Sequence, residues 1–256
     1  MIAGTTGESP VLTDDEKRDL WRAVAEAVTV PVIAGAGTYD THHSVELTTI
    51  AAECGAAGIL AVTPYYNRPS QTGIEAHFRA IAEATSLPVM LYDIPIRAGR
   101  PIDHDVMLRL ARECSNIVAV KDAAGSPASS ARLVAEAPKG FELYSGDDSQ
   151  TLPFLSVGGV GIVSVAAHWC GTQMSEMIAA FEAGDNALAL SIHQSLLPSF
   201  AFEATDANPN PLPTKALLRE IGMPAGLCRL PNVEHDPEGL AAVARKIIGD
   251  LGVKGA

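Results

Sequence analysis

Short apolar segments that end on a small or polar residue recur along the chain at a nearly constant interval. They end at Thr6, Gly35, Thr63, Tyr92 and Lys121, and consecutive members are 28 or 29 residues apart. Gly146 and Ser164 continue the series at shorter intervals of 25 and 18 residues. Since a helical pattern follows each segment, the repeating unit is one β-strand and one α-helix. The repeat therefore predicts a parallel sheet covered by helices.

Two architectures contain such a series, the (β/α)8 TIM barrel and the doubly wound open sheet. The open sheet favours a glycine-rich phosphate loop, and the chain has neither a G-x-G-x-x-G nor a Walker pattern. The expected fold class is α/β, a (β/α)8 barrel. Seven strands can be counted and the first is cut to about three residues, so the barrel is expected to lack its first β/α unit.

The pattern changes near residue 170. From Thr172 onward it is helical and is broken by a proline-rich segment at residues 208–213. We expect residues 1–170 to form the barrel, short at its N-terminus, and residues 171–256 to form a helical region packed on it.

Composition and charge exclude several classes of partner. Of 256 residues, 47% are hydrophobic, which is enough for a large core, and the net charge is -12. Nucleic acids and anionic membranes both bind a basic face, so neither is expected as a partner. The apolar run at residues 155–167 is shorter than the ~18 residues that span a membrane, and the N-terminus has no signal-peptide core. A cytoplasmic location is expected.

No set of side chains has the spacing of a metal site. The cysteines, at positions 54, 114, 170 and 228, form no CxxC pair, and we expect reduced thiols. The seven histidines form no HExxH motif, and Asp147 with Asp148 indicates a turn because no partner ligand lies at suitable spacing.

Lys121 ends an apolar segment whose β-branched residues favour a strand buried on both faces. An amine held at the edge of an apolar interior has a lowered pKa, and a neutral lysine is a nucleophile for carbonyl carbon. Considered alone, however, a lysine at a strand end more often extends its amine to solvent.

Other side chains that can take part in catalysis or bind a substrate also follow the predicted strands, at the barrel face that carries active sites. Thr5 and Thr6 precede a helix and can hold a carboxylate, or they form a plain turn. Tyr92 can exchange protons or be a core aromatic, and Arg97 can bind a carboxylate or lie on the surface. Tyr66, beside Tyr65 on a loop, can meet another subunit. Each residue alone leaves both alternatives open.

Taken together, these segments resemble the dihydrodipicolinate synthase (4-hydroxy-tetrahydrodipicolinate synthase) family of the N-acetylneuraminate lyase superfamily. The segments that carry the resemblance are residues 4–9 (GTTGES), 63–67 (TPYYN), 91–95 (LYDIP) with Arg97 and Gly99, 120–122 (VKD), 145–148 (SGDD) and 208–215 (NPNPLPTK). They occur in the family's order and spacing, and the resemblance covers essentially the whole chain.

The resemblance implies a pyruvate-dependent condensation without a metal or an organic cofactor. Lys121 would form an imine with pyruvate, and the derived enamine would attack the aldehyde of aspartate semialdehyde. Thr5, Tyr92 and Tyr66 match the proton relay of the family, in which Tyr66 reaches in from the neighbouring subunit of a homo-oligomer, a dimer or a tetramer.

The resemblance also assigns the substrate contacts. Thr6 matches a pyruvate carboxylate contact, Gly146 and Val163 match positions around pyruvate, and Arg97 matches the residue that binds the carboxylate of the semialdehyde. The superfamily also contains N-acetylneuraminate lyase and keto-deoxy sugar acid aldolases. Arg97 and the tyrosine pair favour the synthase over these aldolases. An inactive truncated barrel is the third alternative.

Feedback inhibition by lysine is expected to be weak or absent. Lysine-sensitive members carry histidines on the helix after the Thr-Thr turn, and an asparagine and a glutamate near residue 39. The corresponding positions here are Asp14, Lys17, Tyr39 and His43.

Overall fold

Six parallel β-strands form the centre of the structure, a computed structural model that describes residues 1–253. The strands are β1 (Ile33–Gly35), β2 (Gly58–Val62), β3 (Val89–Asp93), β4 (Ile117–Asp122), β5 (Glu142–Ser145) and β6 (Gly161–Ile162). They are hydrogen-bonded in sequence order, and every neighbouring pair is parallel. The α/β class with a parallel sheet, predicted from the repeat, is confirmed.

Helices follow the strands as the repeat predicts. Those that accompany the sheet are α1 (Asp14–Ala27), α2 (Thr41–Glu53), α3 (Gln71–Glu83), α4 (Pro95–Ala98), α5 (His104–Glu113), α6 (Pro127–Glu136) and α7 (Thr151–Ser156). The first begins at a capping box, because Thr13 Oγ1 accepts from the Glu16 amide at 3.2 Å and Glu16 Oε2 accepts from the Thr13 amide at 2.9 Å. This cap starts α1 soon after the turn that holds the two threonines.

The segment at residues 1–3, expected as a first strand, pairs at one residue only. Ile2 bridges to Ala34, and its amide donates to the Ile33 carbonyl oxygen at 2.9 Å. Ala3 then adopts a φ of 56°, a left-handed conformation that ends the extended backbone. Within residues 1–253 the sheet thus contains six strands and this bridge, rather than the seven strands counted in the sequence.

Side chains of the central strands alternate between two apolar clusters. Leu91 and Val120 pack with the surrounding helices, whereas Met90, Tyr92 and Ala119 belong to a separate cluster on the inner face. Because Lys121 is in register with Tyr92, the lysine also lies on the inner face of the sheet.

The last four helices share a core of their own. They are α8 (Ala167–Glu182), α9 (Asn186–Phe202), α10 (Leu212–Glu220) and α11 (Pro237–Leu251). Their buried residues include Trp169, Met177, Leu196, Leu217 and Ala244. Within residues 1–253, none of the helices combines the length and the apolar character needed to cross a membrane.

Candidate active site

Lys121 and Tyr92 lie side by side at the C-terminal ends of adjacent strands. Register pairs Tyr92 of β3 with Lys121 of β4, and the lysine Nζ lies 4.0 Å from the centre of the tyrosine ring. Both side chains are buried, with exposed fractions of 9% for Lys121 and 5% for Tyr92. The lysine therefore does not extend into solvent, and the strand pairing itself fixes its position.

The environment of Lys121 favours the neutral amine. Burial lowers the pKa of Lys121 to about 8, while the negative charge of Asp148 raises it and the positive charge of Arg97 lowers it further. At this pKa roughly a tenth of the amine is neutral at pH 7. A neutral amine of this kind can add to a carbonyl carbon.

The phenol of Tyr92 stays protonated at neutral pH. Burial raises the pKa of Tyr92, and the contact with the Thr5 side chain and the charge of Arg97 act in the opposite direction. The phenol can therefore donate a proton or a hydrogen bond beside the lysine.

A cavity of about 740 Å³ opens at this end of the sheet. Seven of the eight residues that the sequence predicts for the site line it, namely Thr5, Thr6, Tyr92, Arg97, Lys121, Gly146 and Val163. Arg97 reaches it from α4, where its side chain is exposed. A smaller adjoining cavity of about 190 Å³ shares Thr5, Tyr92 and Arg97 with it.

Gly146 is required by the close approach of β5 to the lysine. A Cβ atom at this position would lie 2.8 Å from Ala123 Cβ and 3.1 Å from Lys121 Cε. The Gly146 amide also donates to the Asp122 carbonyl oxygen at 2.7 Å. Any larger residue would displace the lysine side chain or open the end of β4.

Thr6 is held by a residue from the C-terminal part of the chain. Asn210 Nδ2 donates to Thr6 Oγ1 at 3.0 Å, and Asn210 Oδ1 accepts from Thr214 Oγ1 at 3.2 Å. The segment at residues 208–215 contributed to the family resemblance, but reasoning on single residues assigned no role to Asn210. The structure shows that it connects the helical region to the threonine turn.

Tyr66 is the one predicted site residue that the structure does not bring to this cavity. Its side chain is 92% exposed, and its φ is 71°. Its neighbour Tyr65 is half-buried and makes an edge-to-face contact with Tyr39, with ring centres 5.4 Å apart. Tyr66 thus projects from the surface of the molecule.

Two acidic residues to which the sequence analysis gave no role in the site, Asp148 and Glu203, lie near the lysine. Asp147 accepts a hydrogen bond from the Ser149 amide at 2.9 Å, in agreement with the turn predicted from the sequence. Asp148, however, is 1% exposed and accepts from the Val165 amide at 2.7 Å. Burial and the neighbouring Asp148 raise the pKa of Glu203 to about 10, so this cavity-lining carboxyl is neutral. No local pattern marks Glu203, because only the packing of α9 brings it here.

Within residues 1–253, no three His, Cys, Asp or Glu side chains are grouped as ligands of a metal ion would be. The chemistry that the arrangement supports is that of a buried amine, a phenol and hydroxyl groups, with a guanidinium for an anionic substrate.

Comparison with known proteins places these features in a family. Residues 1–248 match the Dihydrodipicolinate synthetase family. The 4-hydroxy-tetrahydrodipicolinate synthase of Desulforamulus reducens is 50% identical over 253 residues, which are 98% of this chain and 84% of that protein.

Solved structures of dihydrodipicolinate synthases are also similar to this chain. The dihydrodipicolinate synthase of Cyanidioschyzon merolae with lysine bound superimposes with a TM-score of 0.91 at 43% identity, covering 98% of this chain and 85% of that one. The chloride-inhibited enzyme of Acinetobacter baumannii in complex with pyruvate has a TM-score of 0.91 at 34% identity, covering 98% and 86%.

Proposed function

The chain belongs to the dihydrodipicolinate synthetase family, and we propose that it is a lyase that condenses pyruvate with aspartate semialdehyde to 4-hydroxy-tetrahydrodipicolinate. This reaction serves lysine and diaminopimelate biosynthesis. The observation that carries the proposal is the buried Lys121 amine, whose Nζ lies 4.0 Å from the Tyr92 ring in a cavity large enough for both substrates.

In the first half of the proposed reaction, the neutral amine of Lys121 adds to the keto carbon of pyruvate. Loss of one water molecule from the adduct gives an imine, and the protonated imine then releases a methyl proton to form an enamine. Thr5 and Tyr92 serve as the local proton carriers, since they contact one another and the phenol lies beside the lysine.

In the second half, the enamine carbon attacks the aldehyde carbon of the semialdehyde, and the resulting alkoxide takes a proton. The amino group of the bound semialdehyde then attacks the imine carbon and displaces the Lys121 amine. The ring closes, and the free enzyme is regenerated with one water molecule released overall.

Substrate carboxylates are assigned to separate groups of the cavity. Thr6, Gly146 and Val163 surround the pyruvate end, near Lys121, and Arg97 binds the carboxylate of the semialdehyde. In a chain of net charge -12, a local guanidinium is needed to hold an anionic substrate.

We also propose a homo-oligomer, a dimer or a tetramer, in which Tyr66 enters the site of a neighbouring copy. Its 92% exposed phenol supports this role, because a tyrosine so exposed is available to a partner surface. The four free cysteines support a cytoplasmic location.

For the fold, we propose that the six strands belong to a (β/α)8 barrel, with the barrel in residues 1–170 and the helical region in 171–256. The strand order and the separate core of α8–α11 support this division.

Reduction of the imine tests the proposed function. Borohydride with pyruvate should leave a reduced pyruvyl adduct on Lys121, detected by mass spectrometry. Its rate of formation should rise with pH through a midpoint near the Lys121 pKa of about 8, because the neutral amine reacts. Aspartate semialdehyde should then turn over in preference to sugar acids. A folded protein without an adduct would instead be an inactive barrel, and turnover of a sugar acid would identify an aldolase.

A further inference from the structure

Two buried carboxyl groups, Asp93 and Asp122, lie directly behind the proposed catalytic pair. Asp93 follows Tyr92 on β3, Asp122 follows Lys121 on β4, and the two aspartates are register partners. Their exposed fractions are 4% and 8%. Because successive side chains of a strand point to opposite faces, the aspartates lie on the helix side of the sheet.

The two carboxyl groups differ in the number of hydrogen bonds that their side-chain oxygens accept. Asp122 accepts from the Ala124 amide at 2.8 Å and from Ser130 Oγ at 2.6 Å. Asp93 accepts from the Ile102 amide at 3.2 Å. Burial, together with the charges of Asp122 and Asp103, raises the pKa of Asp93 to about 7, although the bond from Ile102 acts against this rise.

The bond between Asp93 and Ile102 closes the loop that carries Arg97. This loop leaves the end of β3, contains α4 (Pro95–Ala98) and returns to the sheet at Ile102, which is 4% exposed. The backbone oxygen of Asp93 also accepts from the Ala123 amide at 2.8 Å, which ties the end of β3 to β4. Asp93 thus connects the rigid sheet to the far end of the loop.

We propose that Asp93 is a positioning residue for Arg97, holding residues 94–102 through Ile102 so that the guanidinium meets the carboxylate of the aldehyde substrate. This inference rests on the proposed function, because it assumes that Arg97 binds the semialdehyde. The Ile102 amide can donate to either protonation state of Asp93, so the anchor depends on the acceptor oxygen of the side chain.

Three variants separate this role from a merely structural one. Asp93→Asn keeps an oxygen acceptor for Ile102 and is always neutral, whereas Asp93→Ala removes the acceptor. Asp103→Asn is the matched control, because Asp103 is exposed and its side chain makes no cap bond to α5. Steady-state KM for each substrate and borohydride trapping with pyruvate alone are measured for all three.

The KM values should separate the two substrates. Asp93→Ala should raise KM for the semialdehyde at least about tenfold while imine trapping with pyruvate stays within about twofold. Asp93→Asn, which keeps the acceptor for Ile102, should leave KM for the semialdehyde within about threefold of the wild type, and Asp103→Asn should match the wild type. Equal changes for both substrates in Asp93→Ala, or an unchanged KM for the semialdehyde, would overturn the proposal.

Hydrogen exchange gives a readout that does not depend on the substrate. Residues 94–102 should exchange at least about tenfold faster in Asp93→Ala than in the wild type, and Asp93→Asn should stay near the wild-type rate. Equal exchange in Asp93→Ala and the wild type would overturn the role of Asp93 whatever the enzyme's activity. A wild type that forms no pyruvyl adduct would instead reject the proposed function, and exchange would still decide the role of Asp93.

Discussion

The sheet-borne and loop-borne parts of the candidate site are positioned by different interactions. Lys121 and Tyr92 stand on adjacent strands in register, so backbone hydrogen bonds fix their separation. Tyr66 and Arg97 stand on connecting segments, and both side chains are exposed. In the proposed reaction the sheet supplies the nucleophile, while the connecting segments and a neighbouring copy complete proton transfer and recognition of the second substrate.

The largest effect is expected at the sheet, from Lys121→Arg. A guanidinium stays charged at accessible pH and cannot form the imine, so activity should fall at least about a thousandfold. Lys139→Arg, at an exposed position, should have wild-type activity. Turnover is measured together with adduct formation and thermal unfolding. Substantial activity in a folded Lys121→Arg protein would show that Lys121 is not the nucleophile.

A smaller loss is expected for Tyr92→Phe. The ring remains beside the lysine but the proton donor is lost, so kcat should fall by about 10²- to 10⁴-fold. Pyruvate trapping should persist at a reduced rate. Tyr144→Phe is the matched control, since this half-buried tyrosine bonds Glu142 and does not line the cavity. A kcat for Tyr92→Phe within about twofold of wild type would exclude the phenol from proton transfer.

The loop-borne Tyr66 should matter less, and only through a neighbouring copy. Tyr66→Phe should lower kcat by about 10- to 100-fold. Mixing it with Lys121→Arg under conditions that exchange subunits should restore part of the activity, because some sites then combine Lys121 with an intact Tyr66. If the mixture shows no gain although mixed oligomers form, Tyr66 does not act between copies.

The smallest effect is expected from added lysine. Lys17 is 5% exposed with its amine 4.0 Å from the Asp14 carboxylate, which also contacts His43 Nε2 at 2.9 Å. By the family resemblance, these positions carry other residue types in lysine-sensitive members, so we predict that sub-millimolar lysine leaves the rate nearly unchanged. Initial rates over a lysine titration check this, and strong inhibition in that range would contradict it.

The repeat of apolar segments was sufficient to predict the parallel sheet and the place of Lys121 and Tyr92. Both follow from local patterns, because a run of β-branched residues and its last position are visible along the chain. The pairing of Ile2 at a single residue was not predictable in this way. It depends on the positive φ of Ala3, for which the sequence has no reliable signal.

The acidic surroundings of Lys121 were likewise not predictable from the sequence. Asp147 and Asp148 predict a turn, and the turn is present, but the burial of Asp148 depends on the amides of Val165 and Ala166. Glu203 reaches the cavity only because α9, which it follows, packs against α7 and α8. Contacts between segments distant in sequence produce these environments, and periodicity contains no information on them.

The order of residues by itself therefore determined the class of fold and placed Lys121 at a strand end as a candidate nucleophile, because strand periodicity and strand ends are local properties. Only the tertiary structure decided how deeply the Lys121 amine is buried, which carboxyl groups lie near it and how the loop that carries Arg97 is anchored. Burial and charge at a point in space depend on every segment packed around that point, so pKa values and loop anchoring arise only when the chain is folded.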